Sequence, residues 1–148
     1  MRSILSRYLP LVVWLAFISF ASSDNFNAGN TSRIIGPLVL WLFPNTSAET
    51  LATIHFITRK LAHFTEYAIL GFLAARAFRI HQRWFLISLA LIVVYALIDE
   101  YHQSFVPSRT ASIFDSLIDM AGGLTALILI LRSRRFSRMD ADQIRVNS

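Results

Sequence analysis

The chain has 148 residues, of which 55% are hydrophobic and 16% are charged, and its formal net charge is +5. Soluble domains carry about 25% charged residues, so this composition excludes an ordinary soluble domain and indicates one small membrane domain. The absence of cysteine excludes disulfides and thiolate metal sites. The basic residues cluster at both ends and at 76–83 without interleaved aromatic readers, so we expect membrane lipids and not nucleic acid as partners.

Residues 4–21 predict the first membrane-spanning helix, which Arg2 and Arg7 flank on its basic side. A cleaved secretory signal peptide is the competing interpretation, because small residues at 21–23 follow the apolar stretch. The retained helix is favoured, and both interpretations place Asp24 on the outer side of the membrane.

Residues 34–43 form a short apolar segment that contains Trp41. Ten helical residues cover about 15 Å, half the hydrocarbon thickness, so this segment is predicted to be interfacial or re-entrant. Thr46 and Glu49 then fit a capping box, with Thr46 as N-cap of a helix that reaches about Phe78. The second span is predicted within that helix, at 58–78.

Further apolar stretches predict the third span at 84–101 and the fourth at 113–131, with a loosely ordered basic tail at 132–148. The predicted fold is therefore an all-α integral membrane protein with four transmembrane helices in one domain. Basic residues favour the cytoplasmic side. We therefore expect an inner or plasma membrane protein with both termini cytoplasmic and the polar turn at 99–112 outside.

Polar and charged residues gather near the outer ends of three predicted spans. They are Lys60, His63, Glu66 and Tyr67 on the second span, Asp99, Glu100 and Gln103 on the third, Arg109 in the turn, and Asp115 and Asp119 on the fourth. Their spacing places the members from each span on one helix face. A charge against hydrocarbon costs about 2.5–3.5 kcal/mol, so these groups need partners, water or a ligand. The pattern predicts one shared, outward-opening polar pocket, and Gly122-Gly123 beside it predicts a close helix approach.

Three motifs carry these residues in order along the chain. They read Lys60-x-x-His63-Phe64-x-Glu66-Tyr67, Asp99-Glu100-x-x-Gln103-x-Phe105-x-Pro107-x-Arg109, and Asp115-x-x-x-Asp119-x-x-Gly122. Over about residues 8–131 the chain resembles the VanZ-like family, small multispanning membrane proteins named after a teicoplanin-resistance protein. The resemblance implies an envelope membrane protein but no known reaction. The family often has Asn where this chain has Asp119, and the extra acid is expected to alter the charge of the predicted pocket or to pair with a base.

Several interpretations of the pocket are open. In the first interpretation the charges form a structural ion network, since buried polar groups are usually paired. In the second they bind a ligand. In the second case Lys60 and Arg109 hold the anionic head of an amphiphilic envelope component, such as a lipid-linked cell-wall precursor or a lipophilic glycopeptide, in a resistance-like role. A third interpretation is a membrane enzyme acting on a lipid headgroup, with His63 as general base oriented by Glu66 or Asp99. A proton or solute pathway ranks last, because the acids gather at one end of the spans.

No cofactor and no metal is predicted from the sequence. Six residues offer nitrogen or oxygen ligands, namely His63, Glu66, Asp99, Glu100, His102 and Asp115. The chain has no His-Glu-x-x-His pattern, and Lys60 and Arg109 nearby are expected to repel a cation.

Overall fold

The computed structural model describes residues 2–22, 28–105 and 112–146, and the side chains within 4–22, 33, 35–105 and 112–134. In that part of the chain the elements are α1 (Arg2–Ala21), α2 (Ala28–Leu42), α3 (Ala48–Phe78), α4 (Trp84–Gln103) and α5 (Ile113–Val146). The described ranges contain helices and no strand, so the prediction of an all-α fold is confirmed. Arg109 lies outside the described residues.

Three segments are long and apolar enough to cross a membrane, and they are Ile4–Ala21 in α1, Trp84–Gln103 in α4 and Ile113–Arg134 in α5. These correspond to the first, third and fourth predicted spans. The second predicted span lies in α3, a helix of 31 residues. Arg59, Lys60 and Glu66 interrupt the apolar character of α3, so by length and composition the structure supports three of the four predicted spans.

The N-terminus of α3 differs from the predicted capping box by one residue. Ser47 is the N-cap, and its hydroxyl accepts a hydrogen bond from the Thr50 N–H at 3.2 Å. The prediction of Thr46 as N-cap is wrong, because the Thr46 hydroxyl donates to the Phe43 carbonyl at 2.7 Å instead. Glu49 still lies in the first turn, where a negative charge stabilises the helix N-terminus.

The bounds of two other helices extend past the predicted elements. The segment predicted at 34–43 lies in α2, which begins earlier, at Ala28. The segment predicted as a basic tail continues α5 as a helix to Val146. The sequence from 132 to 146 contains neither glycine nor proline, so no residue in it strongly opposes the helical conformation.

The central helix is α3, which packs against α1, α2, α4 and α5. Its buried face is lined mainly with small residues, and this face meets buried apolar side chains from three other helices. The core consists of Tyr67, Leu70, Ala74, Ala75 and Ala77 from α3, Leu11 and Ile18 from α1, Ile92 and Ala96 from α4, and Leu127 from α5. Outward-facing apolar side chains such as Val12, Phe17 and Val94 remain exposed, as expected for a surface in contact with lipid.

Glycines bring α5 into close contact with both neighbouring helices. A Cβ at Gly122 would overlap the backbone carbonyl of Phe64 on α3, and a Cβ at Gly123 would lie 2.7 Å from the Ile92 side chain on α4. On α3, a Cβ at Gly71 would lie 2.6 Å from the Gly123 carbonyl oxygen. The predicted close helix approach at Gly122-Gly123 is confirmed, and it draws α3, α4 and α5 together just below the polar residues.

Side-chain hydrogen bonds fasten α1 to this bundle. The indole Nε1 of Trp14 donates to the Glu66 carbonyl at 3.0 Å, and the Tyr95 hydroxyl donates to the Leu15 carbonyl at 2.5 Å. Tryptophan and tyrosine usually find a hydrogen-bond partner for their polar atom when it is removed from water. These two bonds therefore link α1 with α3 and α4. They are directional, whereas apolar packing is not.

We expect Gly122→Ala to destabilise the detergent-solubilised protein, because the added Cβ would overlap the Phe64 carbonyl. Overpacking costs about 1–3 kcal/mol, which lowers the Tm of a chain of this size by about 4–12 °C. The matched control is Gly36→Ala, whose Cβ would lie 3.7 Å from His55 Nε2 and which should leave the Tm unchanged or slightly raised. A wild-type Tm for Gly122→Ala, measured by intrinsic tryptophan fluorescence, would contradict the close contact.

Candidate functional site

The predicted site residues converge between α3, α4 and the beginning of α5. Six of them are buried, namely His63, Tyr67, Asp99, Gln103, Asp115 and Asp119, whereas Lys60, Glu66 and Glu100 are half-buried. We call these nine residues together with Arg59 the polar cluster. Arg109, the remaining predicted member, is outside the described residues.

The outer layer of the polar cluster centres on Asp115. Lys60 Nζ donates a hydrogen bond to Asp115 Oδ1, and Arg59 Nη2 lies 3.8 Å from Asp115 Oδ2. The Asp115 side chain is only 4% exposed, whereas those of Lys60 and Arg59 are 21% and 30% exposed. Asp115 also lies in the first turn of α5, where the helix dipole favours a carboxylate. Two cations from α3 thus bind one acid from α5 at the outer edge of the cluster.

The inner layer consists of His63, Asp99 and Asp119, one residue from each of three helices. His63 Nδ1 lies 3.3 Å from Asp119 Oδ1, with both side chains less than a tenth exposed. One potential ligand atom from each of the three residues falls in a group whose members are all within 4.8 Å of one another. Asp99 Oδ2 accepts a hydrogen bond from Gln103 Nε2 at 2.9 Å, which orients the carboxylate. Imidazole and two carboxylates therefore meet in a space closed to solvent.

Four buried polar atoms of the polar cluster have no hydrogen-bond partner among the described residues. They are His63 Nδ1, Tyr67 Oη, Gln103 Oε1 and Asp119 Oδ1. The 3.3 Å pair of His63 and Asp119 is close but is not aligned as a hydrogen bond. Buried polar groups are nearly always paired, and leaving one unpaired costs about 1–3 kcal/mol. Their concentration in one place is the feature of the cluster that points to a bound group.

Glu100 has a structural role that its sequence position does not reveal. Its Oε1 accepts a hydrogen bond from the backbone N–H of Ser112, immediately before α5. This bond joins the end of α4 to the beginning of α5, so Glu100 positions the two helices that carry Asp99 and Asp115. His102, considered as a metal ligand from the sequence alone, is exposed and lies apart from the buried members of the cluster.

The structure adds two partners that sequence reasoning missed. Asp119 lies within salt-bridge distance of His63, whereas the sequence suggested Glu66 or Asp99 as the acid that orients it. Helical spacing identifies neighbours on one helix, but the pairing of His63 with Asp119 crosses from α3 to α5. Trp14 of α1 also reaches the cluster through its bond to the Glu66 carbonyl. The sequence signal that could have indicated the Trp14 contact is that a tryptophan N–H within an apolar span needs a hydrogen-bond acceptor.

The apolar helices and the buried charged cluster between them define a helical membrane protein with a polar site enclosed by three helices. A family model described as VanZ/LLP1 matches residues 8–134, and the chain belongs to that family. The resemblance identified from the three motifs is therefore confirmed. Comparisons with curated proteins and with solved structures gave no match.

We expect Asp115→Asn to destabilise the protein more than Lys60→Met does. Without the Asp115 carboxylate both Lys60 and Arg59 lose their partner, whereas without Lys60 the acid keeps Arg59. Removing one member of a buried pair costs about 3–5 kcal/mol; because the two cations are partly exposed, we expect about 1–3 kcal/mol here.

The double variant should cost less than the sum of the two single variants, because the two residues interact directly. Thermal unfolding in detergent of the wild type, the two single variants and the double variant gives the coupling energy between Lys60 and Asp115. Arg79→Met, which removes an exposed charge outside the cluster, should change stability by less than about 0.5 kcal/mol. Strict additivity, or an equal cost for both single variants, would refute the role assigned to Asp115.

Proposed function

We propose that this VanZ/LLP1-family protein binds the polar head of an amphiphilic cell-envelope component at the polar cluster. The observation that carries the proposal is the set of unpartnered buried atoms on His63, Tyr67, Gln103 and Asp119. Hydroxyl, amide, imidazole and carboxylate groups together suit a head that both donates and accepts hydrogen bonds. A lipid-linked cell-wall precursor and a lipophilic glycopeptide both have such heads, and binding either suits a resistance-like role.

The surroundings of the cluster support an amphiphile rather than a small polar solute. Lys60 and Arg59 stay partly exposed at its outer edge and provide positive charge for a phosphate or carboxylate. Large apolar side chains close to them in sequence are exposed, among them Phe56, Leu61 and Phe114. Polar groups beside an apolar outer surface match the boundary between headgroups and acyl chains. Arg109, from the polar turn, is proposed as a further cation for the head.

We propose that the protein spans the inner or plasma membrane four times, with α3 as the fourth spanning helix and both termini cytoplasmic. Contacts at the end of the bundle remote from the cluster support this arrangement. Arg76 Nη2 donates to the Ser6 carbonyl at 3.3 Å, and the Arg134 guanidinium lies 4.4 Å from the ring centroid of Trp84. Basic residues of α3 and α5 thus gather opposite the acids, in the distribution favoured by the positive-inside rule.

We expect single cysteines to report this topology without background labelling, because the chain has none of its own. Asn45→Cys, in the connection between α2 and α3, should react with a membrane-impermeant maleimide on intact cells. Gln82→Cys, between α3 and α4, should react only after permeabilisation. Both positions are exposed, so burial does not explain a difference. Labelling of both from the same side would refute the proposal that α3 crosses the membrane.

We expect Tyr67→Phe to weaken amphiphile binding about tenfold, because it removes one hydrogen-bonding hydroxyl, worth about 1.4 kcal/mol, without changing the ring. Native mass spectrometry of the detergent-solubilised protein measures the retained amphiphile and its mass. The matched control is Tyr101→Phe, on an exposed tyrosine of α4, which should retain the wild-type amount.

Arg109→Ala tests the proposed second cation in the same assay and should also reduce retention. A Tyr67→Phe protein that retains as much amphiphile as the wild type would contradict binding at the cluster. A wild-type protein that retains no amphiphile would remove the proposed function.

A further inference from the structure

We propose that His63, Asp99 and Asp119 form a binding site for one divalent transition-metal ion, of the class of Zn²⁺ or Mn²⁺, between α3, α4 and α5. This inference goes beyond the proposed function, since a metal ion can bind whether or not an amphiphile does. The sequence offered these residue types but favoured no metal site. The arrangement of the three side chains in space is what supports one.

The spacing of the ligand atoms suits a single ion. Zinc binds imidazole nitrogen and carboxylate oxygen at about 2.0–2.2 Å, so two ligands in tetrahedral positions lie about 3.3 Å from each other. His63 Nδ1 and Asp119 Oδ1 are separated by that distance, 3.3 Å. The atom of Asp99 completes a group within 4.8 Å. A shift of the side chains is needed to bring all three atoms to bonding distance from one ion.

The two facing atoms are available for coordination. His63 Nδ1 and Asp119 Oδ1 are buried, close to each other, and hydrogen-bonded to no described atom. With a proton on Nδ1 the two atoms form an ion pair at 3.3 Å. With Nδ1 deprotonated, its lone pair faces the carboxylate oxygen, and a shared cation takes the place of that proton by bonding to both atoms.

The charges of the cluster also favour a cation at this point. Within the described residues Arg59 and Lys60 form their salt bridges with Asp115, and no lysine or arginine forms one with Asp99 or Asp119. Asp119 lies beside His63 and Asp99 accepts from the Gln103 amide, so neither buried carboxylate has a lysine or arginine partner in the described part of the chain, and unpaired buried charges are costly. A divalent ion would offset the negative charge of both carboxylates. The expected repulsion from Lys60 is also reduced, because its charge is neutralised by Asp115 in the outer layer.

Residues around the three ligands provide the support that metal sites require. Gln103 Nε2 donates to Asp99 Oδ2 at 2.9 Å and holds that carboxylate in place. Gln103 Oε1 and the Tyr67 hydroxyl are buried without partners, so they are suited to coordinate the ion or to bond water attached to it. The three ligands come from three helices held in contact at Gly122 and Gly123, which limits how far the ligands move apart.

One imidazole with two carboxylates selects the class of ion. Thiolate-preferring ions are disfavoured because the chain has no cysteine. An imidazole nitrogen suits zinc and iron, whereas carboxylates suit manganese, so the mixed ligand set fits ions of the class of Zn²⁺ or Mn²⁺. An ion at this position would also attract phosphate or carboxylate oxygens. A role of the ion in holding an amphiphile head rests on the proposed function, whereas the metal site itself does not.

The test uses the full chain in detergent, stripped with a chelator and then equilibrated with Zn²⁺ or Mn²⁺ alone. We expect about one ion per chain by inductively coupled plasma mass spectrometry. We also expect a rise in Tm of about 5–10 °C when the free ion exceeds Kd a hundredfold. Fewer than about 0.1 ion per chain for both metals would overturn the proposal.

Asp119→Asn is the decisive variant, because the amide keeps the side-chain shape and removes the anionic ligand. It should weaken metal binding at least a hundredfold and abolish the metal-dependent rise in Tm, even where the metal-free variant is as stable as the wild type. Glu49→Gln, which changes an exposed acid of α3 outside the cluster, should bind like the wild type. Equal metal binding by Asp119→Asn and wild type would overturn the proposed site.

The two proposals fail separately. Metal bound at one ion per chain by a protein that retains no amphiphile would leave the metal site standing and remove the proposed function. Amphiphile retained by a protein that binds neither metal would do the reverse. Retention of amphiphile that is lost on chelation and restored by the ion would support both and would place the head at the metal.

Discussion

The contact of α5 with α3 at Gly122 determines where the charged groups of this protein lie. Because no Cβ separates the two helices there, the α5 backbone rests against the Phe64 carbonyl. Asp115 and Asp119 lie two turns and one turn before Gly122 on the same face of α5, and so they face Lys60 and His63 on α3. A wider separation would leave these carboxylates without their partners in a medium where an isolated charge is costly.

The charges are divided into two layers with different balances. In the outer layer two partly exposed cations bind the buried Asp115, so positive charge is in excess at the rim. In the inner layer Asp119 lies beside His63 and Asp99 lies close to both, so two buried acids meet one histidine. A structural ion network explains the outer layer, because its groups are paired. It does not explain the inner layer, whose unpartnered atoms are the reason to propose a bound ion and a bound head.

The sequence predicted the helical elements well because their signals are local. The end of α3 at Phe78 and the beginning of α4 at Trp84 follow from helix-favouring and apolar stretches bounded by a short basic turn. The N-cap was wrong by one residue, because Thr46 and Ser47 both suit that position and only the path of the backbone selects between them. The helical continuation of α5 beyond 131 was missed, because basic polar composition resembles that of a loose tail although it contains no helix breaker.

The sequence by itself determined the membrane class, the VanZ/LLP1 family and nine of the ten residues in the polar cluster, because apolar runs, motif spacing and helical periodicity are properties of the chain in one dimension. Only the tertiary structure decided how those residues pair. It assigned Lys60 to Asp115, His63 to Asp119 and Glu100 to the Ser112 backbone. These pairs join different parts of the chain, and their formation depends on how closely and at which level the helices pack, which no local pattern specifies.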